Sequence, residues 1–477
     1  MKFFMKKRWM YIGIISIILI GILVFRNKMH ADSEINNNLK FAVEKSLPIP
    51  PILEDLNSDP DKAEFRLTAQ SSTVEFVHGK KTKTLGYNGS YLGPVLRVSR
   101  GEEVSVRVIN QLNEPTTLHW HGLELPGEMD GGPHSIIRPN SSWVSKFSID
   151  QQASTLWYHP HFMHKTGEQV YKGLAGLIYV DDENSKGLEI PKEYGVDDFP
   201  LIIQDRRIDE EGQVEYDLDR MDVMHGFQGN MVLINGAISP YLEVPRGKVR
   251  FRVLNGSNGR EYKLLLSNKE HFYQIGSDGG LLESPVEMNE LYLGPGERAE
   301  IIVDFSNYKR GDSILLKTGD YSLMEFKVTG EKVESADIPK SLVSIEKMHP
   351  AQASVTRMFV LQGMGQNVNI NGKQMDMERI DEQVKVNTTE IWKVTNQTTG
   401  MMGMAHPFHA HGTQFQILER DGKEPPMNER GWKDTIMIQP GETVKIIAAF
   451  RYKGLFMYHC HILEHEDSGM MGQFLVE

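Results

Sequence analysis

Cysteine is almost absent from this chain: Cys460 is the only one in 477 residues. No internal disulfide can form, and an unpaired thiol is compatible with either side of a membrane. Positive charge is also short. A net charge of −12 excludes nucleic acid and anionic surfaces as partners, and favours a cationic reductant, weakly at physiological salt. Long apolar runs are scarce as well. Trp9 to Phe25 carries no charge, follows Lys2, Lys6, Lys7 and Arg8, and just reaches the ~17 residues of a short membrane span. Met29-His30-Ala31 lacks the small-x-small pattern of a cleavage site, and Lys7-Arg8 is not a twin arginine. No cysteine follows closely enough for a lipoprotein. Residues 1–31 are therefore expected to be a signal anchor or a poorly cleaved signal peptide. The chain would be extracytoplasmic, anchored through residues 9–25 or secreted; it would be cytoplasmic if this segment is not used for export.

What is present is concentrated. Cys460 is flanked by His459 and His461, and His465 and Met470 follow within HCHILEHEDSGM. On an extended strand successive side chains alternate faces, so Cys460 points one way while both histidines point the other. A metal on the thiolate would thus be joined through a few covalent bonds to metals on the imidazoles. Thiolate, imidazole and thioether together are the ligands of a blue copper site, which needs one more histidine. Three further clusters supply it: His119 and His121 in LHWHG, His159 and His161 in WYHPH, and His406, His409 and His411 in HPFHAH. Ten of the seventeen histidines fall in these four motifs. Imidazole alone would suit several metals; the Cys460/Met470 pair selects copper over zinc, whose structural sites close with four ligands and need no paired clusters.

After a spacer at residues 32–61, rich in Asn and Pro, an internal repeat points to three domains. Asn88-Gly89, Asn235-Gly236 and Asn371-Gly372 each lead into alternating apolar stretches that end at Asn110, Asn255 and Asn396. Short strands punctuated by Gly, Pro and Asn predict an all-β chain of sandwiches. Expected boundaries are 62–185, 186–340 and 341–477. The metal motifs lie in the first and third stretches, with no H-x-H between His161 and His406. An eight-histidine cluster is therefore expected between domains one and three, with domain two as a spacer.

The four motifs, in this order, resemble the copper signatures of three-domain multicopper oxidases, a group that includes laccases and copper-efflux cuprous oxidases. The likeness runs from about Tyr87 to the C-terminus. Bacterial efflux oxidases are most similar locally, through HWHGLELPGEMDGGPH, HFMHKTGEQVYKGLAG, HGTQFQIL and GWKDT. The resemblance implies three cupredoxin-like Greek-key β-barrels and four coppers per chain. It assigns a type 1 copper to His406, Cys460 and His465 with Met470 axial, and the type 2 copper to His119 and His409. One type 3 copper goes to His121, His159 and His461, its partner to His161, His411 and His459. Asp130 and Glu466 match acids that the family uses as proton relays.

The implied activity is one-electron oxidation of a small reductant coupled to reduction of dioxygen to water, by a monomer. Cuprous ion is the leading reductant; a general laccase or ferroxidase is the alternative, and a non-enzymatic copper-binding protein comes third. Met401, Met402 and Met404, just before His406, are candidate cuprous-ion contacts among the 24 methionines. Met221 and Met231 read as packing. Efflux-type oxidases often carry a long Met-rich insert over the type 1 site. Between Met348 and Ile391 there is no room for one, which predicts a more open pocket that admits phenols and aromatic amines. His134 and His164 are candidate outer contacts of the cluster, and Trp120 and Trp157 are expected to pack its shell.

Overall fold

The computed structural model describes residues 45–333, 336–400 and 403–477. The expected signal segment 1–31, most of the spacer, and Met401 and Met402 lie outside the described residues. No helix among the described residues is long and apolar enough to cross a membrane. The rest of the spacer is docked: Ser46 bridges Tyr241 and Ile52 bridges Val95, both in parallel.

Three cupredoxin-like domains follow one another, each a pair of β-sheets closed over its own apolar core. The first has two four-stranded sheets, the second a seven- and a five-stranded sheet, and the third two five-stranded sheets. In each domain an early strand pairs in parallel with the repeat strand found in the sequence: Lys62–Val74 with Glu103–Asn110, Asp198–Arg206 with Lys248–Asn255, and Ala353–Gln362 with Thr388–Asn396. Parallel neighbours cannot be joined by a tight hairpin, so the chain must cross over between them, and the Greek key follows.

The repeated asparagines explain why the pattern recurs. Asn88, Asn235 and Asn371 all take a left-handed backbone, φ 55°, 51° and 54°, which Asn tolerates better than most residues. Each side chain then clips the early strand at two points two residues apart. Asn88 Oδ1 accepts from Thr68 N–H at 2.7 Å while its Nδ2 donates to Arg66 O at 2.8 Å. Asn235 does the same to Ile202 and Pro200, and Asn371 to Val360 and Met358, all at 2.7 or 2.8 Å. Asn110, Asn255 and Asn396 are fully buried at the ends of the repeat strands. Each accepts from the N–H two residues on and donates to two carbonyls, for Asn396 those of Met404 and Ile438. These six side chains tie strand to loop identically in all three domains.

Domains one and two meet over buried ions. Arg252 donates to Asp198 at 2.7 Å, Arg250 pairs with Glu300, and Thr155 of the first domain donates to Glu300 at 2.6 Å.

Candidate metal centre

Two strand pairs, one from each outer domain, face each other and carry the histidines. In the first domain His119–His121 lies antiparallel to Ser154–His159, with His119 opposite His159. In the third, His406–Ala410 lies antiparallel to Gly454–Cys460, with His409 opposite His459 and Phe408 opposite Cys460. Rings stack across the seam: His119 on His411 and His121 on His409, centroids 3.7 Å apart in both cases. Only His119 and His121 are both within a strand. His161, His411 and His461 fall just beyond the ends of theirs, yet each still joins its partner. The His459 and His461 rings are 5.6 Å apart, and His461 lies 5.0 Å from His121 and 5.5 Å from His159.

Hydrogen bonds orient the rings. A nitrogen facing away from the centre meets an acceptor in seven of the eight: His119 Nδ1 the Asp130 carbonyl (3.1 Å), His121 Nε2 Asp434 Oδ1 (3.0 Å), His159 Nδ1 the Pro160 carbonyl (2.8 Å). His161 Nδ1 faces Glu466 Oε1 (3.5 Å), His409 Nδ1 the Asp434 carbonyl (2.7 Å), His411 Nδ1 Asp130 Oδ2 (2.8 Å) and His459 Nδ1 the Cys460 carbonyl (3.1 Å). A neutral imidazole has one N–H, so an outward donor leaves the inward nitrogen as a lone pair. Those inward nitrogens crowd together: His161 Nε2 and His411 Nε2 are 3.2 and 3.1 Å from His459 Nε2, and His121 Nδ1 is 3.3 Å from His159 Nε2. His119 Nε2 and His409 Nε2 are buried without any partner. Lone pairs facing lone pairs in a dry interior need a cation between them, so the site fits metal ions. The groupings of His119/His409/His411, His119/His121/His159 and His161/His411/His459 bring their donor atoms within 4.8 Å. Burial, with crowding by neighbouring imidazoles, pulls His121, His159, His409 and His411 well below the usual histidine range. Burial likewise pulls His161 and His461 down to about 3. The rings are thus in the neutral, ligating form.

On the other face of its strand, Cys460 Sγ lies 3.4 Å from His406 Nδ1 and 3.8 Å from His465 Nδ1. Met470 is fully buried beside them; its carbonyl accepts from Cys460 N–H and its N–H donates to the His465 carbonyl. Burial pushes the Cys460 thiol up, so a thiolate here needs a bound cation. Thiolate, two imidazoles and a nearby thioether fit copper.

Both expected acids are at the centre. Asp130 Oδ2 reaches His411 and, at 3.4 Å, His119 Nδ1; Glu466 lies between His161 and His459, 3.2 Å from the latter. Burial alone would raise the Glu466 carboxyl, but those two imidazoles hold it well below the usual carboxylate range.

The second domain is more than a spacer. Its Arg298 is fully buried and forks onto Asp434, which holds His121 and His409; Thr435 Oγ1 also reaches both rings. Sequence reading missed Asp434 and Arg298 because neither stands in a histidine motif. The signal for Asp434 was its place in GWKDT, a carboxylate heading a buried apolar strand, Thr435–Ile438. The expected open pocket over the type 1 residues is also covered. The second-domain helix Arg220–His225 packs against Leu463–Asp467 and the turn Gly365–Asn367, and the Met224 carbonyl accepts from His465 Nε2 at 3.2 Å. Motifs in two domains could not reveal a cover supplied by the third. His134 and His164 bond Gln473 and Asp467 instead of cluster rings, and Met404 packs on the third core. Trp157 stacks on His159 at 4.0 Å, and Trp120 donates to Ser145.

Family models described as multicopper oxidase match residues 68–185 and 347–477, the stretches that carry the histidine motifs. The chain is 42% identical to the multicopper oxidase mco of Staphylococcus aureus, covering 90% of this chain and 92% of that one. It is 36% identical to the cell division protein FtsP of Escherichia coli, over 91% and 93% of the two chains. The crystal structure of a laccase from Pediococcus acidilactici superposes with a TM-score of 0.88 at 41% identity, covering 92% of this chain and 95% of that one.

Proposed function

The chain belongs to the multicopper oxidase family and is an oxidoreductase that binds copper, and on that premise we propose that it oxidises cuprous ion by one-electron steps and reduces dioxygen to water. The observation that carries this reading is the meeting of eight buried imidazoles from two domains directly behind Cys460. In this reading His406, Cys460 and His465, with Met470, would hold a type 1 copper, and His119 with His409 a type 2 copper. His121, His159 and His461 would hold one type 3 copper, and His161, His411 and His459 the other. Bound copper supplies the one-electron steps that a four-electron reduction needs.

The chain's own residues do the rest. Cys460 is joined by its backbone to His459 and His461, which links the two centres covalently. Asp434, Asp130 and backbone carbonyls fix the ring orientations, raising ligand basicity. Asp130 and Glu466 stand against ligand nitrogens inside a site closed to bulk water, where they can hold and pass protons. Full burial of His406 and His465, with the Met224 carbonyl on the latter, leaves no ring edge among the described residues for an aromatic substrate. That favours a small ion over phenols. A role without redox chemistry, in the sense of the cell-division relatives' name, would not call for this donor set. Export by residues 1–31 would place the enzyme, as a monomer, outside the cytoplasm.

Oxygen uptake by the copper-loaded chain, offered cuprous ion, ferrous ion and a methoxyphenol in turn, tests the reading, with Cys460→Ser as blank. Uptake fastest with cuprous ion is expected; uptake fastest with the phenol would make it a laccase, and none with any reductant would end the oxidase reading.

A further inference from the structure

His465 and His406 differ in one respect. His406 Nε2 is buried without a partner, whereas His465 Nε2 donates to the Met224 carbonyl of the second domain. That carbonyl belongs to Arg220–His225, a six-residue helix whose composition is RMDVMH. At about 100° per residue, Met221, Met224 and His225 share one arc of the helix, while Asp222 lies elsewhere and is buried against Arg207. All three are half-buried, neither sealed in a core nor spread into solvent. His225 has no hydrogen-bond partner among the described residues, and it is close enough to His465 to help depress that ring, which burial chiefly brings down to about 4. The helix abuts Gly365, where an added Cβ would lie 3.3 Å from Met224 Cγ, so the thioether sits at the seam with domain three; Met364, half-buried, stands at the same seam.

Two thioethers and an imidazole on one face of a helix are a soft donor set, suited to a monovalent cation such as cuprous or silver ion. We propose that Met221, Met224 and His225 form a soft-cation site on the second domain, from which the electron reaches the Cys460 centre through the Met224 carbonyl and His465 Nε2–H. The site deepens the cuprous-oxidase reading and rests on it for its substrate. Each cuprous ion loses one electron and leaves as cupric ion; four such events, with one dioxygen and four protons, give two waters. The position also explains why the chain needs no long insert before Ile391: the donors come from domain two.

Silver ion, redox-inert here, is the probe. Titrated calorimetrically into the copper-loaded full chain, it should bind one equivalent more in the wild type than in Met221→Leu/Met224→Leu/His225→Gln. The same variant should show a cuprous-ion KM raised about 10-fold or more, with kcat changed less. Met221→Leu alone, at a half-exposed position, should weaken silver binding and gives a test that does not depend on the triple variant folding. Unchanged silver binding in the variants, or its loss in Met404→Leu alone, would overturn the site. The two readings fail separately. Silver binding at the helix without cuprous-dependent oxygen uptake would remove the oxidase reading and leave the site. Fast cuprous oxidation with silver indifferent to the helix would do the reverse.

Discussion

Arg298 and Asp434 form a fully buried two-point pair, Nη1 to Oδ1 at 2.7 Å and Nη2 to Oδ2 at 2.5 Å, between the second and third domains. Arg298 also donates to the Thr155 carbonyl of the first domain, so one guanidinium joins all three domains beside His121 and His409. Lysine cannot reproduce the fork. Arg298→Lys should therefore lower copper affinity at the histidine cluster by about 10- to 100-fold while the visible absorption of the Cys460 centre persists. Metal analysis after dialysis against a mild chelator reads this directly; full retention of cluster copper would show that the pair is only structural.

Cys460→Ser removes the one thiolate. The variant should lose the intense visible absorption and one copper per chain, and its oxygen uptake should fall to background. Retained absorption would move the blue centre elsewhere.

Glu466→Gln keeps the shape of the side chain and removes the proton it can carry. Its kcat should drop by about 10²- to 10⁴-fold with copper content unchanged. Asp130→Asn should slow turnover in the same range. A normal rate in heavy water and ordinary water alike, for either variant, would remove that acid from the proton path.

Glu300 lies far from the proposed ligands, under Arg250 and Arg252. Burial would raise its carboxyl, but the two guanidinium groups bring it down from 4.5 to about 2. A folded value below the unfolded one means that its stabilisation is complete above about pH 4.5 and is lost as pH falls towards 2. Glu300→Gln, which strands Arg250, should cost about 3–5 kcal/mol near neutrality. The difference from wild type should shrink on acidification through that window. Denaturant midpoints across the window check it, and a constant difference would contradict it.

Asn255→Ala strips three hydrogen bonds from a fully buried position in the domain without histidine motifs. A loss of about 1–3 kcal/mol per stranded group is the relevant scale. The thermal midpoint should fall while the visible absorption stays. An unaltered midpoint would mean that the repeated asparagine is dispensable there.

The sequence by itself determined the chemistry and the architecture class. Cys460 between two histidines, with His465 and Met470 close behind, needs only strand alternation to define two linked donor sets, because that geometry is local. The Asn-Gly repeat was legible for the same reason: each asparagine acts on a strand of its own domain, and the need for a left-handed turn leaves a mark on residue type. Tertiary structure alone decided what lies around the donors. Asp434 and Arg298 are 136 residues apart, and Met224 is 241 from His465; their contacts have no periodicity or spacing to betray them. Whether the second domain was a spacer or a working part depended on how three barrels pack. That packing is set by the burial of ions such as Arg298, whose partners a linear pattern does not specify.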